Sequence, residues 1–308
     1  MAVEDQEKTE KTDNLTGVTI AIGSSVFWGI LTIYWKLLDG VPSSEILAHR
    51  IFWAFVFVLL LLAWKGRSRE LTRIIKDRKT RNWVVCGAVL ISVNWFLFIW
   101  AVTGGKIVET SLGYYMNPLF TVLWGCVFMR ERLGRWQVVA LLLAAAGVMM
   151  LALEYGEIPW ISLSIAVIFS LYGFVKKKVS LDSIASLTIE TMLVTPLAIL
   201  YIIYIQAAGN GHLGTGSWRL SLLLILSGAI TAVPLLLFAE GAKRVSLSTL
   251  GFAQYISPTM QLFIGVGLYH EPFSHMHFLS FCLIWSAIII YTVASMRYTR
   301  SLRSRGVG

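Results

Sequence analysis

The chain has 308 residues, of which 56% are hydrophobic and only 14% are charged. Soluble domains are roughly 45–50% apolar and about 25% charged, so this composition excludes an ordinary soluble enzyme. The net charge of +9 is divided among short segments between apolar stretches, which is typical of membrane topology and not of a nucleic-acid-binding surface.

The N-terminal segment, residues 1–15, is polar and charged, and we expect it to be a disordered cytoplasmic tail. The apolar stretch that follows it is long enough to cross a membrane, so it does not have the form of a cleavable signal peptide. Ten such stretches occupy residues 18–38, 44–64, 83–103, 108–128, 136–153, 160–175, 183–205, 218–239, 247–268 and 275–296. The sequence therefore predicts an all-α integral membrane protein with ten transmembrane helices.

Basic residues are concentrated in every second connection. Residues 65–81 hold eight Lys or Arg, and further basic groups follow at 130–135, 176–178, 243–244 and in the C-terminal segment. Since positive loops face the cytoplasm, this alternation predicts that both termini are cytoplasmic. Segment 65–82 is expected to be a topological anchor, with an interfacial helix as the alternative.

A faint internal duplication relates positions that are 140 residues apart. Pro118 corresponds to Pro258 and Glu131 to Glu271, and six of the 35 positions from 97 to 131 are identical at this offset. An odd number of spans in each half would place the two copies in opposite orientations in the membrane. The sequence therefore predicts two inverted five-helix repeats, residues 16–155 and 156–298, between the tails 1–15 and 299–308.

The two equivalent prolines lie near the middle of their spans, where they are expected to act as kinks or hinges. A helical proline frees the carbonyl four residues before it, here those of Tyr114 and Gln254. Lipid cannot satisfy a free carbonyl at that depth, and inverted-repeat transporters bind their substrates there. We therefore expect substrate contacts from the neighbouring polar residues Tyr114, Tyr115, Asn117, Gln254, Tyr255 and Ser257. The alternative is that each proline only bends its helix for packing.

Polar residues also occur inside other spans, and buried charge in a membrane is kept mainly for function or in pairs. Lys36 and Arg50 are candidate contacts for a substrate carboxylate, while Glu45 either lines the site or neutralises one of these two cations. His49 shares a helix face with Glu45 and is a candidate for proton coupling. The remaining candidate substrate contacts are Asn94, Trp28, Trp95 and Trp100.

The sequence contains no pattern for catalysis, a cofactor or a metal ion. No phosphate-binding loop, nucleophile elbow or zinc-protease motif is present, and the three cysteines lie within spans at no metal-ligand or redox spacing. The residues alone therefore favour a transporter over an intramembrane enzyme. A small-molecule substrate and the lipid bilayer are the expected partners, and no nucleic acid is expected.

Several strings of residues resemble a known family. They include EILAHR at 45–50, SLGYYMNPL at 111–119, PLLLF at 234–238 and QYISPT at 254–259, with shorter matches at 28–29, 34–36, 94–95, 99–102 and 131–133. These strings are similar to those of the RarD proteins, in the EamA family of the drug/metabolite transporter superfamily. The resemblance covers almost all of the chain after the N-terminal tail.

The resemblance implies ten helices in two inverted halves, alternating access, and a multi-pass protein of the bacterial cytoplasmic membrane. A secondary transporter for a small polar or amphipathic metabolite or drug is then the expected function. The alternative is a membrane sensor or scaffold that does not transport and that affects drug sensitivity indirectly.

Overall fold

The computed structural model describes residues 2–104, 106–156, 158–179, 182–215, 217–270 and 274–304. These residues form twelve α-helices and no strand. The helices are α1 (Ala2–Lys36), α2 (Ser43–Trp64), α3 (Ser68–Lys76), α4 (Arg78–Thr103), α5 (Ile107–Phe128), α6 (Arg135–Tyr155), α7 (Trp160–Lys178), α8 (Ser183–Ala207), α9 (Trp218–Arg244), α10 (Leu247–Gln254), α11 (Ile256–Tyr269) and α12 (His275–Ser304). Glu271, the predicted repeat partner of Glu131, lies outside the described residues.

The ten predicted spans correspond to these helices with two differences. The ninth span is divided into α10 and α11, which meet at Tyr255, three residues before Pro258. The basic segment after α2 contains the short helix α3, whose Ile74 is buried against Leu62 and Val84. Segment 65–82 is therefore partly helical and packed, while its expected role as a topological anchor stays a prediction. Helix α1 also includes the polar residues expected to form a disordered tail.

Eight of the described helices are long and apolar enough to cross a membrane. They are α1 from Leu15 onward, α2, α4, α6, α7, α8, α9 and α12, and together they confirm the prediction of an all-α integral membrane protein. Large apolar side chains point away from the protein along them, with Leu60, Leu142 and Leu200 each about two-thirds exposed. Helices suit this setting because lipid offers backbone groups no hydrogen bonds, so each segment must satisfy its own.

The helices recur at the same offset as the sequence duplication. Helices α2 and α8 begin 140 residues apart, and so do α4 and α9, α5 and α10, and α6 and α12. Arg130 and His270, also 140 residues apart, both adopt the left-handed conformation with φ of 55°, just after α5 and α11 respectively. An unusual backbone conformation at equivalent positions is a stronger sign of duplication than a few identical residues.

Three pairs of equivalent helices pack against each other in antiparallel fashion. In the pair α6 and α12, Gln137 near the start of α6 bonds Ser295 near the end of α12, whereas Glu154 near the end of α6 bonds Ser274 just before α12. Helices α2 and α8 are joined by a 2.7 Å hydrogen bond between the Ser44 and Tyr201 hydroxyls, again start to end. Helices α5 and α10 form the third pair, since Gly251 of α10 lies against Pro118 whereas Leu247, at the start of α10, lies against Gly125 near the end of α5.

The start of α10 is held by Glu131 from the segment after α5. Its carboxylate accepts hydrogen bonds from the backbone amides of Leu247 and Ser248, at 2.7 and 2.9 Å, and from the Ser248 hydroxyl at 2.6 Å. A carboxylate at a helix N-terminus satisfies unpaired amides and complements the helix dipole. Gly125 permits this contact, since a Cβ there would lie 2.7 Å from Glu131 Oε2.

Candidate functional site

Arg50 is a half-buried cation within the helix bundle. Its guanidinium lies over the ring of Trp35 in α1, 4.5 Å from the ring centre, and its Nε donates to Thr231 Oγ1 in α9 at 3.0 Å. Tyr34 and Tyr114 lie close enough to interact with its charge. Among the residues that the structure describes, Arg50 has no carboxylate within ion-pair distance. Its charge is therefore positioned by aromatic and hydroxyl groups and left without a counterion.

The midplane amides predicted as substrate contacts lie together. Asn117 Nδ2 donates to Gln254 Oε1 at 2.9 Å, and the Thr121 hydroxyl donates to the same oxygen at 3.2 Å. Asn117 is ten residues into the 22-residue helix α5, about 15 Å along it at roughly 1.5 Å per residue. Asn117 Oδ1 and Gln254 Nε2 are buried without a hydrogen-bond partner in the described part of the chain. This pair therefore keeps one acceptor and one donor unused among the described residues.

Tyr114 and Asn117 link these two groups. They are three residues apart on α5 and so share a helix face, with Tyr114 towards Arg50 and Asn117 against Gln254. Pro118, one residue after Asn117, lies against α10, since a Cβ on Gly251 would approach the Pro118 carbonyl oxygen to 2.8 Å. The region around Pro118 therefore meets α10, the helix that precedes Pro258 in the chain.

The other predicted contacts are distributed more widely. Trp28, Asn94 and Trp95 lie inside the bundle; Asn94 donates to the Ile165 carbonyl at 3.1 Å, and Trp28 Nε1 is buried without a hydrogen-bond partner among the described residues. Ser257 is partly buried and accepts from Gln261 at 3.3 Å. Tyr115 packs on Phe281 of α12, and Tyr255 is fully buried. Trp100 is half exposed. Lys36 is exposed, and its ammonium lies over the Tyr269 ring.

Glu45 does not neutralise Lys36 or Arg50, and this alternative was wrong. Its carboxylate accepts the backbone amide of His212 at 2.7 Å and contacts His212 Nδ1 at the same distance, so it binds the connection between α8 and α9. The physical reason is helical geometry, because positions five apart lie on different faces whereas positions four apart share one. His49 is therefore the residue beside it, with Nε2 3.8 Å from Glu45 Oε1.

A second charged centre joins α7 and α8; Glu190 is recognisable from the sequence as an ionisable residue inside a span, but its partner is not. Lys176 Nζ lies 2.6 Å from Glu190 Oε1, and both side chains are about 1% exposed. Tyr172 donates to the other carboxylate oxygen at 3.0 Å, and Ser186 donates to Oε1 at 3.0 Å. Lys176 was assigned to a basic connection, so that assignment was wrong. The repeat offers the missed signal, since Lys176 corresponds to Lys36 and Glu190 to Arg50.

A cavity of about 550 Å³ opens at the end of the bundle predicted to face the cytoplasm. It lies between the end of α2, the start of α8 and the second half of α9. Its walls are apolar towards the middle of the bundle and charged at the rim. None of the residues predicted as substrate contacts lines it.

Chemically, the Arg50 centre and the amide pair suit the binding of a small molecule. A guanidinium that is stacked on an aromatic ring offers planar, directed hydrogen bonds to a carboxylate. The tryptophan and tyrosine rings nearby supply apolar surface, and the amides supply orientation. No nucleophile and base are brought together at this centre among the described residues.

Sequence comparisons identify related proteins over nearly the whole chain. The EamA-like transporter family matches twice, over residues 15–153 and 158–293. A Bacillus subtilis protein called "Uncharacterized transporter YojE" is 45% identical over 295 residues, which is 94% of this chain and 97% of that one. "Protein RarD" of Escherichia coli is 38% identical over 289 residues, with coverage of 94% and 97%.

A solved structure described as "Crystal structure of protein" has a TM-score of 0.72 to this chain. It covers 90% of this chain and 98% of its own, at 19% identity, so the likeness concerns the fold. Together with the apolar helices and the RarD relatives, these matches establish the family that the sequence strings suggested. The chain belongs to the EamA-like transporter family and is a multi-pass membrane protein related to the RarD proteins.

Proposed function

We propose that the protein is a secondary transporter that moves a small amphipathic molecule bearing a carboxylate across the bacterial cytoplasmic membrane by alternating access. The observation that carries this proposal is Arg50. A charge held without a counterion inside a membrane protein costs several kcal/mol, so such a charge is kept mainly where it serves binding or transport. Trp35 and Thr231 fix the position of this charge, which is the preorganisation that a binding site needs.

The proposal includes ten membrane-spanning segments in two inverted halves. The antiparallel packing of α6 on α12, α2 on α8 and α5 on α10 supports it, because equivalent helices that run in opposite directions are related by a two-fold axis in the membrane plane. The two separate family matches support the same division of the chain. In this arrangement, α5 supplies the fourth span, and α10 with α11 supplies the ninth.

The proposed substrate lies between the halves. Its carboxylate would bind Arg50, its apolar part would contact Trp35 and Tyr114, and its polar groups would reach Asn117 and Gln254. All of these residues except Trp35 were predicted from the sequence as substrate contacts. The amide pair joins α5 of the first half to α10 of the second, so a molecule bound there would respond to relative movement of the halves.

A ligand-stability screen tests the binding proposal. Purified protein in detergent would be heated with a panel of small aromatic and aliphatic carboxylates, each paired with its uncharged amide. A ligand that binds the folded protein raises its melting temperature by mass action. We expect some carboxylates, and none of their amides, to stabilise the wild type, and we expect Arg50→Gln to lose the response.

A matched control is Arg135→Gln, which removes an exposed arginine at the start of α6. Hits from the screen would then be tested for uptake into liposomes that contain the purified protein. Binding with saturable uptake supports a transporter, whereas binding without uptake would favour the alternative of a sensor. A response that is equal for carboxylates and amides would remove Arg50 from substrate recognition.

A further inference from the structure

We propose that the cavity at the cytoplasmic end of the bundle binds an anionic phospholipid of the inner leaflet, with the lipid phosphate at Lys65 and Lys243. The site is separate from the Arg50 centre, and the inference does not depend on the identity of the transported molecule. It rests on the shape of the cavity, on the division of its lining into apolar and charged parts, and on a comparison with the equivalent positions in the other half.

The wall towards the middle of the membrane is apolar. It consists of Phe57 and Leu61 from α2 and of Val233, Leu236 and Leu237 from α9, all of them only partly buried. A volume of about 550 Å³ is in the range of pockets for small ligands, roughly 300–1,000 Å³. Such a wall suits an acyl chain, and it does not suit a fully hydrated ion.

The rim is charged, and each of its two carboxylates, those of Asp182 and Glu240, already has an arginine partner. Arg67 forms an ion pair with Asp182, which also caps α8 by accepting the Ile184 and Ala185 amides at 3.0 Å. Glu240 binds Arg244 at 2.8 Å. Lys243 donates to Ser183 Oγ at 2.7 Å.

Lys65 is exposed and has no ion pair among the residues described here. The lining has three cationic side chains, Lys65, Arg67 and Lys243, against the two carboxylates of Asp182 and Glu240, so the rim is positive overall. A lysine ammonium is a compact charge that binds phosphate well.

The duplication provides an internal comparison. The apolar wall is present in both halves, since Phe57, Val233 and Leu236 correspond to Leu197, Val93 and Phe96. The charges are present in one half only. Lys65, Arg67, Asp182, Glu240 and Lys243 correspond to Ile205, Ala207, Pro42, Trp100 and Thr103. All five charged positions are therefore specific to the cytoplasmic end, so the fold alone does not require them.

A phospholipid satisfies both parts of this lining at once. Basic pockets between transmembrane helices on the cytoplasmic side are suited to anionic headgroups, and that leaflet supplies them. A soluble phosphate compound would use the rim but would leave the apolar wall exposed to water. The amphipathic lining therefore favours a lipid over a free anion.

The test uses the purified full-length protein, stripped of lipid in a mild detergent, and measures its melting temperature as lipid is added. Phosphatidylglycerol and phosphatidylcholine with the same acyl chains are the probes, and glycerol 3-phosphate represents the headgroup without chains. We expect phosphatidylglycerol to stabilise the protein more than phosphatidylcholine does, and glycerol 3-phosphate to have little effect. Lys65→Gln should weaken the phosphatidylglycerol response about fivefold in apparent affinity, the effect of one lysine near an anionic surface.

Lys65 is the residue chosen for substitution because its side chain is exposed, so its replacement should not affect folding. Lys79→Gln is the matched control, since it removes another exposed lysine of the basic side that does not line the cavity. Equal responses of the Lys65 and Lys79 variants would overturn the proposal. Equal stabilisation by the two lipids, or full stabilisation by glycerol 3-phosphate, would also overturn it.

Discussion

Lys176 and Glu190 form an ion pair that is almost completely removed from solvent, with 2.6 Å between Nζ and Oε1. Tyr172 and Ser186 complete its hydrogen bonds. Gly87 of α4 lies against the pair, since a Cβ there would be 3.1 Å from Glu190 Oε1. Desolvation makes such a pair expensive to build and still more expensive to break on one side.

Loss of one partner of this pair should therefore destabilise the protein severely. We expect Lys176→Met to cost about 3–5 kcal/mol, since it leaves Glu190 buried and uncompensated. The double variant with Glu190→Leu should recover much of that loss. Melting temperature and the monodisperse fraction in gel filtration are the measurements, with Lys79→Met as the exposed control. Equal stability of the single and double variants would show that the pair is not coupled.

Arg50→Gln should give folded protein that binds its carboxylate ligand at least about thirtyfold more weakly, as expected when one member of a charged contact is removed. Arg50→Lys should restore little, because lysine lacks the planar group that stacks on Trp35 and the Nε that bonds Thr231. Since Glu45 is bound to His212, adding Glu45→Ala should not rescue Arg50→Ala. Rescue by that double change would instead favour a structural ion pair between Glu45 and Arg50. Titration of ligand against melting temperature measures these effects.

Substitution of the equivalent prolines should separate folding from transport. Pro118→Ala allows the missing helical hydrogen bond to form, and Pro258→Ala removes the fixed backbone angle in the first turn of α11, so we expect stable protein with slow uptake in liposomes from either change. Asn117→Ala should weaken ligand binding more than Cys126→Ala, a change nine positions further along the same helix. Normal uptake by both proline variants would assign these residues to packing only.

The orientation of the protein can be tested by cysteine labelling in whole cells, after Cys86, Cys126 and Cys282 are replaced. Ser68→Cys should be protected from an impermeant reagent and Asn210→Cys should react, because Lys and Arg fall in the alternate connections. Asn210 is exposed, whereas a Cβ on its neighbour Gly211 would lie 2.5 Å from the Gln206 side chain. The reverse labelling pattern would contradict the topology.

Glu131 should contribute to stability through its contacts with the start of α10. We expect Glu131→Ala to cost about 1–3 kcal/mol, because it leaves the Leu247 and Ser248 amides without their acceptor. Gly125→Ala should have a similar effect by displacing the carboxylate. Thermal melting of both variants is the measurement, and Arg132→Ala, an exposed neighbour, is the control. A wild-type melting temperature in Glu131→Ala would show that the cap contributes nothing.

Sequence reasoning was most successful where one local pattern determines structure. Apolar length located the membrane helices, and the repeat placed Pro118 in a helix, α5, that packs against α10, the helix just before Pro258. It was least successful for partners that are distant in sequence, since Glu45 binds His212, 167 positions away, and Arg50 binds Thr231, 181 positions away. No periodicity of one helix encodes such contacts. Lys176 was misassigned because a short run of lysines has the composition of a loop, although its first member points into the protein.

The antiparallel pairing of equivalent helices has a consequence for biogenesis. Synthesis delivers the first half before the second, so α2, α5 and α6 enter the bilayer before their packing partners α8, α10 and α12 exist. Until those partners are made, the contact faces of the first half, including the amide of Asn117, are exposed to lipid or must be shielded by the insertion machinery. Two separately encoded halves should for the same reason be stable only when co-expressed. A single five-helix chain that inserted in both orientations could bury the same faces by dimerising with its own inverted copy.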